Sequence, residues 1–408
     1  MTSLGNFVWT TGLTFVTLLG IGAGLSCGYL LLLTFYSRRN GLPSARAAFL
    51  ARQLRFDVIV PAHNEAQLIP RTVANLLNMD WPQACFRVVV IADNCSDNTA
   101  TLARSAGALV LERQNDTLRG KGYALELAFQ FSQASTWADA VVVVDADSEA
   151  SPNLLAACAQ RIGEGAHAVQ AHYGVRDPFA SWRTRLMCIA LAAFHRVRSR
   201  AREHLNVSCG LRGNGWCVTH ELLQRIPYRA YSLAEDVEYG IELGLNGYRV
   251  HYADEASVDG EMVSDAQSAQ TQRQRWEHGR FALIRAKTAT LLKAAYRKPS
   301  AVCFDLAMDL LVLPLSYIAV NVMALLVGAL ALWLWQPDSR AAGALSVLGV
   351  LCAVSMFAYV LRGWQLSGMG KQGLKDLARA PFFIGWKVLS MVRNRQPTTW
   401  VRTRRRAP

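Results

Sequence analysis

Two aspartates stand one residue apart where an apolar run ends, in Val141-Val142-Val143-Val144-Asp145-Ala146-Asp147. Carboxylates so placed suit a hard, oxygen-seeking divalent cation, which keeps waters and holds phosphate oxygens as well. They equally suit a strand that stops in turn-forming Asp residues, one of them capping the next helix. Other reactive residues follow comparable signals. Asp93 opens Asp93-Asn94-Cys95-Ser96-Asp97-Asn98-Thr99, Lys121 lies between Gly120 and Gly122, Glu235-Asp236 starts a helix-patterned stretch, and Gln272-Arg273-Gln274-Arg275-Trp276 comes later. Acids in a first helical turn are also favoured by the helix dipole alone. As a set, separated acids with a lysine and a distant arginine suit a nucleoside diphosphate held through a metal.

The elements that must position these residues are legible in outline. Four consecutive valines predict a strand buried on both faces, as in the middle of a parallel sheet. Phe56–Pro61 and Phe86–Ala92 read the same way, and Ala108–Leu111 and Val169–Tyr173 as shorter strands. Between them lie helical patterns: Leu68 to Leu77, a stretch ending near Ser105, and Tyr123 to Ser132. Strand–helix alternation predicts an α/β fold with a doubly wound, mostly parallel sheet, and places the Asp-bearing loops at one sheet edge, where such folds bind ligands. Trp182 to Arg202 reads as a basic amphipathic helix, on the surface or near a membrane. Cys209-Gly210-Leu211-Arg212-Gly213-Asn214-Gly215-Trp216 is either a tight turn or a close backbone approach to a ligand. Gly120-Lys121-Gly122 lacks the third glycine of a dinucleotide fingerprint and no G-x-x-x-x-G-K-[ST] occurs, which excludes those two nucleotide-binding modes.

The formal charge of +13 is unevenly spread over the 408 residues. No charged side chain precedes Arg38, and Phe7 to Tyr36 is long enough to cross a bilayer with tilt. A cleaved leader is a poor fit, because no basic residue precedes the run and Tyr29 to Leu33 prolongs it. Arg38, Arg39, Arg46, Arg52 and Arg55 follow, so the positive-inside rule puts the N-terminus outside and the next segment in the cytoplasm. Leu310 to Trp335, kinked at Pro314, and Ala341 to Leu361 read as two further spans, with Lys293, Arg297, Lys298 before them and Arg362, Lys371 and an arginine-rich tail after them. Phe281 to Tyr296 and Pro381 to Val392 read as interfacial helices. The expected layout is a span over 1–37, a cytoplasmic body over 50–280, an interfacial helix over 281–303, two spans within 304–361, and an interfacial helix with a basic tail over 362–408. The basic excess is thereby assigned to topology and lipid attraction, not to nucleic acid. Nine scattered cysteines without a C-x-x-C pair fit a reducing compartment and no zinc site. The sequon at Asn206 falls on the cytoplasmic side. With no ionisable pathway inside the spans, a transporter is a poor reading.

In order, Asp93 in IADNCSDNT, Asp145 and Asp147 in VVVVDADS, Glu235-Asp236 in LAEDVEYG, and Gln272 to Trp276 as Q-(Q/R)-x-R-W resemble the family-2 glycosyltransferases. The group most resembled is membrane-integrated and includes cellulose, hyaluronan and chitin-oligosaccharide synthases and ceramide glucosyltransferase; the tail resembles exopolysaccharide-type members. Val60 to Ala66, with Glu65, resembles the opening strand and nucleotide loop, and the likeness spans residues 55–280. It implies a GT-A fold and an inverting transfer from a UDP-sugar to a lipid-linked or polysaccharide acceptor at the inner membrane. The implied roles are Asp147 on Mg²⁺ or Mn²⁺, Asp145 on the donor and the metal, Asp93 on uracil, Lys121 by the nucleotide, and Asp236 as general base supported by Glu235. Gln272, Arg275 and Trp276 would close over diphosphate and acceptor, with Arg273 less engaged. Other membrane proteins of polysaccharide assembly are implied partners. Ala234 stands where polymerising members usually have Thr, and three spans are few for a polymer channel; both weaken a processive synthase. An inactive membrane scaffold would be expected to have lost a metal or base carboxylate, and Asp93, Asp147 and Asp236 are all present.

Overall fold

The computed structural model describes residues 3–38, 53–262 and 266–379; of residue 3 and residues 266–275 it describes the backbone alone. The expected interfacial helix at Pro381 to Val392 and the arginine tail lie outside the described residues, as do Arg39, Arg46 and Arg52.

Eight strands form one sheet in the order β3-β2-β1-β4-β7-β6-β8-β5. They are β1 (Phe56–Ala62), β2 (Phe86–Asp93), β3 (Leu109–Arg113), β4 (Ala140–Val143), β5 (Ser148–Ala150), β6 (Ala168–Val175), β7 (Trp216–Thr219) and β8 (His251–Gly260). β1 to β4 pair in parallel, the arrangement that the two-faced burial of β1, β2 and β4 anticipates, while β3 at the sheet edge is only partly buried. Beyond β4 the sheet is mixed: β7 runs antiparallel to both β4 and β6, and β5 antiparallel to β8. β7 follows the long helical excursion over 182–204 and the glycine loop, and enters the sheet between β4 and β6. Residues of one strand alternate between two cores. Val58, Val60, Val88, Val90 and Val142 face Ile69, Val73 and Leu155 on one side, and Ile59, Val89, Ile91, Val141 and Val143 face Leu125, Phe129, Trp216 and Tyr239 on the other.

Helices cover both faces: α2 (Ile69–Leu77), α3 (Thr99–Ser105), α4 (Lys121–Ser135) and α5 (Leu154–Gly163) between early strands, then α6 over 182–204, α7 (His220–Arg225) and α8 (Glu235–Leu245). In α6 the stretch Ala192–Val197 is π-wound, with α-helix on either side. α9 (Ala266–Arg297) and α10 (Ala301–Leu311) lead to three helices long and apolar enough to cross a membrane. These are α1 (Ser3–Tyr36), α11 (Leu315–Trp335) and α12 (Arg340–Ser367), followed by the short α13 (Gly370–Leu377). The kink expected at Pro314 is a full break: α10 ends at Leu311, and Pro314 caps α11 at its start. Proline lacks the N–H that a continuous helix needs there. The expected helix over 281–296 is the second half of α9.

α1, α11 and α12 pack on one another, and α6 lies against α12 and α1. Of its two expected placements, α6 therefore takes the one beside the apolar helices. Gly363 of α12 permits the approach, since a Cβ there would lie 2.6 Å from the Ala193 Cβ. The Tyr359 hydroxyl donates to the Ala193 carbonyl at 2.7 Å, inside the π-turn.

Candidate active site

β1, β2 and β4 all deliver their loops to the same carboxyl edge. After β1, Asn64 takes a left-handed conformation (φ 56°) and its Oδ1 accepts from the Ser96 amide at 2.7 Å. The Glu65 amide donates to Thr99 Oγ1 at 2.8 Å, so the loops after β1 and β2 are tied together, with Glu65 half-buried. At the end of β2, Asp93 is buried; its Oδ1 accepts from Arg113 Nη1 at 2.6 Å and from Asn94 Nδ2 at 3.0 Å. Arg113 ends β3, and the ring of Tyr123 on α4 lies under its guanidinium.

Asp145 and Asp147 follow β4. The Asp145 amide donates to Asn214 Oδ1 at 3.0 Å and Ser148 Oγ donates to Asp147 Oδ1 at 3.2 Å, while the Asp147 carbonyl accepts from the Glu261 amide. Lys121 Nζ, at the first turn of α4, lies 2.6 Å from Asp145 Oδ1 and 3.5 Å from Glu235 Oε1, and donates to the Gly213 carbonyl at 2.7 Å. One ammonium thus joins the Asp-Ala-Asp edge to the Glu-Asp motif across more than a hundred residues of chain. Burial pulls its pKa down, yet Asp145 and then Glu235 hold it above the ordinary lysine value. Gly122 makes the approach of α4 possible, because a Cβ there would fall 2.2 Å from the Ala230 carbonyl oxygen.

Glu235 and Asp236 open α8. Burial, and next the charge of Glu235, push the Asp236 carboxyl up to about 7, against the opposing pull of Lys121. A carboxylate tuned to that value takes up a proton near neutral pH. Gly213 faces it with φ 84°, and a Cβ there would stand 3.5 Å from Asp236 Oδ2.

The glycine-rich segment is a tight turn, and its Gly213 lies beside Lys121 and Asp236. Gly210, Gly213 and Gly215 all have positive φ, and Gln170 and Asn214, both fully buried, hold it. Gln170 Oε1 accepts from the Arg212 amide at 2.8 Å and its Nε2 donates to the Asn214 carbonyl at 2.7 Å; Asn214 Nδ2 donates to Ser148 Oγ at 2.7 Å. Sequence reasoning singles out neither residue, nor Arg113. The available signal is the Gly-x-Gly spacing around Asn214, where a polar side chain between turn glycines has little else to do than bond nearby backbone.

Trp276 is half-buried on α9, whereas the side chains of Gln272, Arg273 and Arg275 lie outside the described residues. One turn further along, a Cβ on Gly279 would lie 3.2 Å from the Ala234 Cβ, so α9 passes directly beside the residue before Glu235. The structure therefore brings Asp145, Lys121, Glu235 and Asp236 together, with Asp147 alongside and α9 at their flank; Asp93 and Glu65 sit on neighbouring loops of the same edge. Among the described residues no three His, Cys, Asp or Glu side chains converge as a metal cage. Two carboxylates at a strand end instead fit an ion such as Mg²⁺ or Mn²⁺, which takes its remaining oxygens from phosphate and water.

This mixed sheet, with its acidic strand ends, is a GT-A glycosyltransferase fold. The mannosyltransferase PcManGT of Pyrobaculum calidifontis, solved in complex with GDP-Man and Mn²⁺, superposes with a TM-score of 0.53 over 89% of this chain and 99% of its own, at 19% identity. The family model described as glycosyltransferase like family 2 matches residues 53–279, more than half of the chain, and the protein belongs to that family. Among curated relatives, the probable glycosyltransferase YdaM of Bacillus subtilis is 24% identical over 62% of this chain and 60% of its own length. The beta-monoglucosyldiacylglycerol synthase of Trichormus variabilis is 27% identical over 55% of this chain and 48% of its own. The chain thus spans about half to three-fifths of the length of these relatives.

Proposed function

We propose that this protein is an inverting glycosyltransferase that moves a sugar from a UDP-sugar to a lipid-linked or polysaccharide acceptor at the cytoplasmic face of the inner membrane. The observation that carries the reading is the Lys121 bridge, which ties the donor edge at Asp145 to the acidic pair at Glu235-Asp236 in one cleft. Asp145 and Asp147 would hold Mg²⁺ or Mn²⁺; bound there, the ion supplies positive charge against the diphosphate as it leaves. Lys121 adds a second cation beside the same phosphates. Asp236, ionised from about neutral pH upward, takes the proton from the acceptor hydroxyl as its oxygen attacks the anomeric carbon from the face opposite the leaving group. After burial, Glu235 does most to raise Asp236, and it anchors Lys121. By the resemblance of their motif, Gln272, Arg275 and Trp276 would close over the diphosphate and the acceptor end.

Asp93 supports uridine over guanosine. Its Oδ1 already accepts from Arg113 and Asn94, leaving Oδ2 for a base. Uracil presents one N–H between two carbonyls, whereas guanine's two adjacent donors ask for both oxygens of a carboxylate. The body over 50–280 stands on the cytoplasmic side, with α1, α11 and α12 as three spans. Relatives named for glucosyldiacylglycerol synthesis support a lipid-borne acceptor, in glycolipid or exopolysaccharide assembly. A single transfer is expected. The test is turnover of a UDP-sugar panel by detergent-purified protein with Mn²⁺ or Mg²⁺. Asp147→Asn and Asp236→Asn should each abolish transfer, UDP should inhibit more strongly than GDP, and product analysis should show one added sugar. Wild-type turnover in both variants would end this assignment.

A further inference from the structure

Where the sheet domain meets the apolar helices, four arginines share one knot, three of them buried and Arg280 half-buried. Arg198 and Arg202 come from α6, Arg212 from the glycine loop and Arg280 from α9; against them stand Asp305 and Asp309 of α10. Asp309 Oδ1 meets Arg198 Nη1 at 2.9 Å and Arg202 Nη2 at 2.7 Å, and its Oδ2 meets Arg212 Nη1 at 3.3 Å. Asp305 meets Arg202 Nε at 3.0 Å and accepts from the Tyr29 hydroxyl at 2.8 Å. Arg280 Nη2 donates to main-chain carbonyls where α10 ends, Asp309 and Val312 among them, the latter at 2.9 Å.

The charges do not balance. Among the described residues these four guanidinium groups have no carboxylate partner beyond Asp305 and Asp309, which leaves two positive charges uncompensated. The C-terminus of α10 offers only about half a negative charge. Arginine does not shed its proton in proteins, so titration cannot relieve the excess, and burying it unpaired is costly. Among the described residues, the buried atoms Arg202 Nη1, Arg212 Nε and Arg280 Nε have no acceptor; Arg202 is 0% and Arg212 6% exposed. Burial lowers Arg280 to about 10, and Arg198, Arg212 and Arg202 push it the same way against Asp309. The half-buried ring of Phe194 gathers three of the groups, with Arg198, Arg212 and Arg280 at 4.7, 5.0 and 5.8 Å from its centroid. Arg212 adjoins Gly213, the neighbour of Asp236, while Tyr29 and Tyr359 contribute from the parts of α1 and α12 nearest the sheet domain.

We propose that this knot binds a phosphoryl group, either the headgroup phosphate of a membrane lipid or a soluble phosphate, whose negative charge completes it beside the acceptor end of the cleft. The proposal rests on the membrane placement given above and not on the donor chemistry, so its test reads binding with no sugar nucleotide present. Full-length protein, delipidated in neutral detergent, is titrated with dioctanoyl phosphatidic acid, with dioctanoylglycerol as the uncharged control, and with inorganic phosphate, following the melting temperature. Phosphatidic acid should stabilise saturably and dioctanoylglycerol should not. Arg280→Gln should weaken that binding by about tenfold or more, the loss of one charge-assisted contact, and Arg280→Lys should keep most of it. Asp305→Asn should tighten it, because removing a carboxylate enlarges the positive excess; a knot that merely fastens the domain to the helices would show no gain. Saturation by inorganic phosphate as tight as by the lipid would retain the site and assign its source to a soluble anion. Absence of stabilisation by either anion, or affinities unchanged in both Arg280→Gln and Asp305→Asn, would overturn the proposal. If Arg280→Gln fails to fold, the wild-type and Asp305→Asn titrations decide.

Discussion

Replacing Glu235 by Gln removes the charge that, after burial, does most to hold the proton on Asp236, and the consequence is a displacement of the pH–rate profile in a known direction. The Asp236 carboxyl stands at about 7 against an ordinary 3.8, so keeping it ionised in the cleft costs roughly 4 kcal/mol. Adjacent carboxylates about 7 Å apart at an effective dielectric near 20 repel by roughly 2 kcal/mol. Loss of that repulsion should therefore lower the value by about 1–2 pH units, leaving burial to account for the rest. The assay is initial nucleoside diphosphate release in the presence of acceptor, at saturating donor and metal, from pH 5 to 9. In the wild type the acid limb should be half-maximal near 7; in Glu235→Gln it should move toward lower pH. Lys121→Met provides the opposite sign, since its ammonium pulls Asp236 down: any residual activity should have its acid limb moved up. An acid limb that stays in place in both variants, or moves the same way in both, would refute the assignment of that limb to Asp236.

Asp236→Asn should gain stability while losing transfer. The folded value lies above the unfolded one, so the stabilisation from this carboxyl is complete below 3.8 and is lost as pH rises through about 7; at pH 8.5 the Asn variant should melt several degrees higher, and near pH 4 the difference should vanish. Gly213→Ala should lower kcat by about tenfold with a smaller change in donor KM, because a left-handed alanine costs roughly 1–2 kcal/mol and its methyl would sit against the Asp236 carboxylate, the proposed base, which kinetics at fixed metal would show. Asp57→Ala should destabilise by about 3 kcal/mol in thermal or denaturant unfolding yet leave donor KM unchanged, since this fully buried carboxylate binds Arg87 (Nε at 2.5 Å, Nη2 at 3.1 Å) and Ser132 at the start of β1, the far end of the strand from the cleft.

What could be read in the sequence was what local pattern dictates. Runs such as Val141 to Val144 and Phe86 to Ala92 are almost wholly apolar, so they declare central strands, and the loops that end them share one carboxyl edge of the sheet. β7 and β8 gave no such signal. The first is a four-residue strand attached to a glycine turn; the second, HYADEASVDG, alternates buried and partly exposed positions only from Ala256 on, with small residues that make a weak apolar pattern under the cover of helix α5. The family resemblance placed Lys121 by the nucleotide, but that one ammonium would span Asp145 and Glu235 depends on the approach of two elements that Gly122 allows.

The arginine knot was hidden for a related reason that follows from helical geometry. Arg198 and Arg202 are spaced i, i+4 on α6, and Asp305 and Asp309 i, i+4 on α10. Each pair alone is the ordinary signature of a solvated helix face, where like charges one turn apart mildly repel. Only when the two faces oppose each other do they become mutual partners, so that the same spacing that argues for exposure in one helix supplies complementarity between two. A third and a fourth arginine, arriving from a loop and from α9, then change the knot from a balanced seal into a site with charge to spare. That surplus is a property of four segments taken together, and no single stretch of the chain carries it.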